Sequence, residues 1–215
     1  MSATNSKSST YSKSAFLYEE IRRSLQSGRY LPGQRVDPAT LAMEFHTSAT
    51  PVRFALYRLV GEGLLEDHAR SGFHVPLPNE VALRDLYDWM ERLLLAACDF
   101  DIAPVTRKNG RIEVSSPDDD LAKLTWQLFD AIARAADQRS LHRAVKQAND
   151  RLAPIRRAAQ GMAEDLFEEL SGLNRHWRNR DMPALKSALH EYHERRKQCV
   201  PRIVAFLSDA NDYLH

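Results

Sequence analysis

With 215 residues, 43% of them hydrophobic, the chain can bury at least one sizeable core, and no run approaches the roughly eighteen consecutive apolar residues of a membrane helix. The formal net charge of +1 does not by itself announce a nucleic-acid partner, so only the local distribution of charge can point to one. Cys98 and Cys199 sit in helical-looking segments and form no CxxC pair, which points to reduced thiols and away from a disulfide or a zinc site.

Residues 1–14 are rich in Ser, Thr and Lys without apolar periodicity and read as a disordered tail. They also lack the apolar stretch of a secretory signal, so the expected location is cytoplasmic. From Ala15 onward, Phe16, Leu17, Ile21 and Leu25 recur at helical spacing, and Gly28 is placed to end that helix. Asp37 can cap a second helix, because Pro38 falls at the first helical position where its missing N–H costs nothing; Leu41, Ala42 and Phe45 share one side. Ser48 can cap a third helix, with Val52, Ala55, Leu56 and Leu59 as its buried stripe and Gly61 or Gly63 closing it. Two short apolar runs then flank the turn signal Arg70-Ser71-Gly72, which reads as a β-hairpin. Three helices and a hairpin over residues 15–76 make a winged helix-turn-helix, and Pro76 and Pro78 mark its boundary.

Residues 79–215 read as an all-α bundle, so the fold class is mainly α. Val81, Leu83, Leu86, Met90, Leu93, Leu94 and Ala97 give its first helix a broad apolar face. The stretch from Asp99 to Val114 is irregular, with a turn pair at Asn109-Gly110, and Ser116-Pro117-Asp118-Asp119 has the form of a helix start. Further helices are expected at about 117–136, 138–159, 162–179 and 182–211, with Pro154 and Pro201 kinking or breaking theirs.

In a helix-turn-helix the last helix enters the major groove with its N-terminal residues near the bases. Thr47, Ser48 and Thr50 can then donate to phosphates, beside backbone N–H groups that favour anions, and Arg53 can reach a guanine edge or a phosphate. The same residues also suit ordinary capping and a solvated arginine.

The run from Gly28 to Val75 resembles the N-terminal domain of GntR-family bacterial transcription regulators. Matching positions are Pro32, Gly33, Leu41, Ala42, Ser48, Thr50, Pro51, Val52, Arg53, Ala55, Leu56, Leu59, Glu62, Gly63, Leu64, Gly72 and Val75. The resemblance implies DNA contacts from Thr47, Ser48, Thr50, Pro51, Arg53 and Arg58, with Arg70, Ser71 and Gly72 forming a wing at the minor groove. Ala49 stands where the family usually carries an arginine, Phe54 replaces the usual glutamate, and Pro38, Ala39 and Thr40 offer no charge, so an altered or weaker operator contact is expected.

The remainder is similar to the FCD effector-binding domain, of the FadR-like subfamily, through LRDLYDWMERLLLAAC, LFDAIARAADQRSL and RNRDMPALKSALHEYH. Most FCD domains hold a divalent metal with one Asp and three His, and the corresponding positions here are Trp126, Asp130, Leu170 and Tyr192. A lone carboxylate does not hold such an ion, so no metal or cofactor is expected. His190 and His193, three apart, and nearby His176 could meet a metal, yet Glu191, Glu194, Arg195 and Arg196 make that segment read as a solvated face. The expected effector pocket is lined by Trp89, Met90, Trp126, Phe129, Asp130, Leu170 and Tyr192, apolar and suited to an aromatic or acyl-type molecule, although each residue also suits plain core packing.

These readings converge on a homodimeric regulator, a repressor that binds double-stranded operator DNA and answers to a small-molecule effector. The alternative is a ligand-binding or protein-interaction helical dimer with weak or lost DNA binding. Absence of GxSxG, HExxH and phosphate-loop motifs argues against an enzyme.

Overall fold

The computed structural model describes residues 3–100, 112–162 and 165–212, with side chains described only within 13–211. It divides into two compact units, 1–77 with 207–215 and 78–206. The division falls between Leu77 and Pro78, and residues 207–215 group with the first unit.

In the first unit, α1 spans Ala3–Gln26 and so begins inside the segment read as a disordered tail. Residues 3–14 contain no proline or glycine, so helix anchored by Leu17 and Ile21 can propagate back through them one hydrogen bond at a time. Gly28, at φ 79°, ends the helix, and the Arg29 N–H closes it by donating to the Ser24 carbonyl at 3.1 Å. α2 covers Pro38–Glu44, and the Asp37 carboxylate caps it by accepting from the Thr40 N–H at 2.9 Å. A tight link through His46, held in the left-handed region at φ 47°, leads to α3 at Ala49–Gly61. Gly61 lies inside that helix; Gly63, at φ 71°, closes it, with the Leu64 N–H returning to the Leu59 carbonyl at 2.9 Å.

The wing consists of β2 (Glu66–His68) and β3 (Gly72–His74), antiparallel, and a third strand, β1 (Arg35–Val36), pairs with β3 on its other side. Two residues are too few to show alternation, so sequence periodicity could not expose β1. Its pairing puts Val36 opposite Phe73, and both join the core with Leu17, Ile21, Leu56 and Leu59.

The second unit is all helical: α4 (Glu80–Ala97), α5 (Leu121–Ala135), α6 (Arg139–Ala158), a 3₁₀ turn at Gln160–Met162, α7 (Leu166–Asn179) and α8 (Met182–Asp212). Asn79 caps α4 as an N-cap should. The start of α5 corrects the sequence reading. Ser116–Asp119 forms a turn, in which the Asp119 carboxylate accepts from the N–H groups of Ser115 and Ser116, and Asp120 is the actual cap. The turn pair Asn109-Gly110 and most of the irregular stretch lie outside the described residues.

Neither internal proline breaks its helix: Pro154 stays within α6 and Pro201 within α8. Pro201 cannot donate to the carbonyl four residues back, and the Arg84 guanidinium takes over that duty, donating to the Lys197 carbonyl at 2.8 Å. Among the described residues no helix is long and apolar enough to cross a membrane.

Leu56 is fully buried at the centre of the first unit. Leu56→Ala should destabilise that unit by about 2–5 kcal/mol. Hydrogen exchange of the whole chain reads this as faster exchange in peptides from 15–76, with peptides from 121–158 unchanged; equal loss in both would refute the independence of the two cores.

Candidate functional site

The first unit presents α3 with its faces cleanly divided. Val52, Ala55, Leu56 and Leu59 are buried, whereas Ala49, Thr50, Arg53, Phe54 and Tyr57 are exposed. Ser48 occupies the cap position in extended conformation, yet its hydroxyl makes no capping bond, so that hydroxyl and the first N–H groups of the helix face outward together. Arg53 is exposed and pairs with no carboxylate among the described residues. Thr47 is half-buried beside it. At the hairpin tip, Arg70 and Ser71 are exposed, the Ser71 N–H closes the turn on the His68 carbonyl at 3.2 Å, and Gly72 takes φ 82°, a conformation that favours glycine.

Two residues expected at this surface have other duties. Pro51 is buried and starts the helix from inside. Arg58 lies over the Tyr18 ring, 3.7 Å from its centroid, and its Nε is 3.4 Å from Glu62. The Tyr18 hydroxyl donates to the same Glu62 at 2.6 Å, and burial together with that bond pushes the phenol pKa well above its usual range. Arg58 therefore ties α3 to α1.

The second unit contains a cavity of about 30 Å³ whose walls include Tyr87, Thr125, Arg156, Met162, Tyr192 and Ile203. Of the seven residues expected to line an effector pocket, Tyr192 alone lines this cavity. Trp89 is exposed, while Met90, Phe129 and Leu170 are completely buried in the helical core. Trp126 donates its indole N–H to Asp150 at 2.8 Å, and Asp130 is taken up by Arg134 at 2.5 Å and His142 at 2.8 Å. Both are cross-braces between α5 and α6. The cavity has room for two or three water molecules, at roughly 10–15 Å³ each, which does not suit the aromatic or acyl-type occupant expected from the sequence.

Residues 13–75 match the gntR family of bacterial regulatory proteins. The N-terminal unit is similar to that family over these residues. The chain is 33% identical over 58 residues to the uncharacterized HTH-type transcriptional regulator YdhC of Bacillus subtilis. It is 39% identical over 62 residues to the Nta operon transcriptional regulator of Aminobacter aminovorans. These matches cover 27% and 29% of the chain, and 26% and 30% of the relatives, so the likeness in sequence spans less than a third of either protein. The likeness in fold extends further. A putative transcriptional regulator GntR from Rhodococcus sp. RHA1 superposes with a TM-score of 0.72 at 16% identity, covering 88% of this chain and 97% of that one. E. coli McbR/YncC gives 0.69 at 20% identity with the same coverage.

The four positions expected to correspond to metal ligands form no donor set among the described residues. Leu170 has no donor atom, Trp126 and Asp130 are engaged as described, and Tyr192 stacks edge-on against Phe129 at 5.5 Å. The three histidines do not converge either. His176 is half-buried on α7, whereas His190 is exposed and its Nδ1 lies 2.6 Å from the Glu91 carboxylate, which raises the imidazole pKa. Glu91, His190 and Glu194 could in principle offer atoms to one ion. Lys197 already stands among them, 3.1 Å from Glu91 and 2.5 Å from Glu194.

His193 is fully buried, its Nδ1–H donates to the Leu189 carbonyl at 2.7 Å, and its Nε2 has no partner among the described residues. Burial lowers its pKa to about 3, so the ring is neutral at pH 7. An unfolded histidine takes up a proton near pH 6.5, and the folded one does so only near 3. Stability carried by neutral His193 is therefore complete above pH 6.5 and falls as the pH drops toward 3, by up to about 1.4 kcal/mol per unit. Urea unfolding followed by tryptophan fluorescence at pH 7, 6 and 5 should show wild type losing ground steadily to His193→Leu. A difference that stays constant with pH would refute the assignment.

Proposed function

We propose that the chain is a bacterial transcription regulator of the GntR type, a repressor that grips operator DNA as a homodimer through α3 and the wing. The helical unit acts as an FCD-like, metal-free effector domain that alters this grip. The observation that carries the reading is the exposed strip of Thr50 and Arg53 at the open N-terminus of α3 in a GntR-type domain. A solvent-facing arginine with no carboxylate to hold it, beside unsatisfied helix N–H groups, suits a phosphate or a guanine edge. Arg70 at the hairpin tip supplies a second cation suited to the minor groove. Two-fold pairing supports recognition of a pseudo-palindromic site, with one head per half-site. The named relatives are transcriptional regulators.

Fluorescence anisotropy with duplexes selected from a randomised library tests the reading. Arg53→Ala should weaken binding roughly 5- to 150-fold, equivalent to about 1–3 kcal/mol, and flatten the salt dependence by about one counterion if the contact is to phosphate. Arg58→Ala should lower thermal stability and leave the salt dependence unchanged. Arg53→Ala binding with wild-type affinity at two salt concentrations would overturn the assignment of α3 as the reading helix.

A further inference from the structure

Phe54 is 60% exposed on α3, one residue past Arg53, although a ring of that size ordinarily finds a place in a core. Its neighbour Tyr57 is taken up by the wing, edge-on against Phe73, whereas Phe54 enters no ring pair or cation–π contact among the described residues. Successive residues of a helix turn by about 100°, so the buried stripe of Pro51, Val52, Ala55, Leu56 and Leu59 sets the outward direction. Thr50 and Tyr57 lie along that direction, with Arg53 roughly 50° to one side and Phe54 roughly 50° to the other. Phe54 therefore shares the presented face with Thr50 and Arg53. Arg58, the next position round the helix, bounds that face through its contact with Tyr18. Ala49, exposed at the start of α3, presents only a methyl group. Of Ala49, Thr50, Arg53 and Phe54, two carry no hydrogen-bonding group in the side chain, so discrimination by this face depends in part on apolar contact.

We infer that Phe54 determines base specificity, its ring meeting the C5-methyl of a thymine in the major groove beside the group that Arg53 contacts. This rests on the reading of α3 as the DNA-contacting helix and gives that helix a base preference. In the major groove every base pair offers hydrogen-bond donors or acceptors, and thymine alone adds an apolar group. A phenyl ring set against a guanine or adenine edge strips water from polar atoms that it cannot satisfy. Against thymine the same ring buries a methyl group. The preferred half-site therefore carries thymine under Phe54.

Replacing thymine by 2′-deoxyuridine removes that methyl and keeps every hydrogen-bonding group of the base, so it isolates the contact. The full chain is titrated by fluorescence anisotropy against duplexes that it selects from a randomised library, with each thymine and its symmetry mate replaced in turn. At one such pair, wild type should bind the deoxyuridine duplex about 15-fold more weakly, about fourfold for each methyl. Phe54→Ala should bind the thymine duplex about tenfold more weakly and discriminate thymine from deoxyuridine there by less than about twofold. Phe54→Leu, which keeps an apolar group, should bind within about fivefold of wild type and still prefer thymine. Because the ring is mostly exposed, Phe54→Ala should melt within about 3 °C of wild type. Selected sites in which no thymine replacement weakens wild type would overturn the inference and leave α3 as the reading helix. So would a penalty that Phe54→Ala keeps in full, or a Phe54→Ala chain that melts well below wild type, since the ring would then be serving the fold. If wild type binds no duplex at all, the reading of α3 falls and this inference falls with it.

Discussion

The first unit depends on one helix serving two environments. α3 sends Val52, Ala55, Leu56 and Leu59 into the core against Leu17 and Ile21 of α1, and 3.6-residue periodicity then forces Thr50 and Arg53 outward. Burial fixes the direction of the exposed groups. The wing is tied to the same core, since Phe73 of β3 is buried and stacks edge-on against Tyr57 of α3 at 5.1 Å. A recognition surface assembled from a helix and a hairpin therefore has a single rigid support, as precise contacts require. Arg58 adds to this support through Tyr18 and Glu62.

The helical unit follows a different economy, because its core contains polar groups that must be matched. Asn149 donates to the Trp126 carbonyl at 2.8 Å and accepts from Arg156, while Trp126 donates to Asp150. This chain of bonds joins α5 to α6 and fixes where the guanidinium of Arg156 lies. A network of this kind is worth more in specifying one arrangement than in net stability, since each member must be satisfied for the burial to be tolerable. Its open end is Arg156, at the wall of the cavity.

Much of the head was legible in the sequence because each signal there is local. Asp37-Pro38 as cap and first turn, Gly28 and Gly63 as stops, and Gly72 in the hairpin all report backbone needs within a few residues. The misses have physical causes. β1 owes its existence to pairing with a strand far along the chain, and the continuation of α8 past Pro201 to a guanidinium on α4. Pro51 and Arg58 fit the family pattern but are held by packing, which the pattern does not separate from contact with DNA. Of the residues expected to line an effector pocket, Met90, Phe129 and Leu170 are taken up by the helical core. Val145, Asn149, Leu152 and Arg156 follow helical spacing, so two polar residues stand in an otherwise apolar stripe.

His193 and Arg156 meet the cost of burial in different ways. Both are in the core of the helical unit, and both carry nitrogen atoms without a partner among the described residues. Imidazole escapes the cost of burial by giving up its proton, after which the orphaned Nε2 is a weak acceptor in an apolar wall, a modest penalty. Guanidinium has no such escape, because it keeps its proton. Its charge stays, and the ring of Phe129 with one bond to Asn149 offsets only part of the desolvation. Natural sequences keep such costly arrangements where function demands them. The difference in proton affinity between two side chains thus separates a histidine that burial neutralises from an arginine that stays charged.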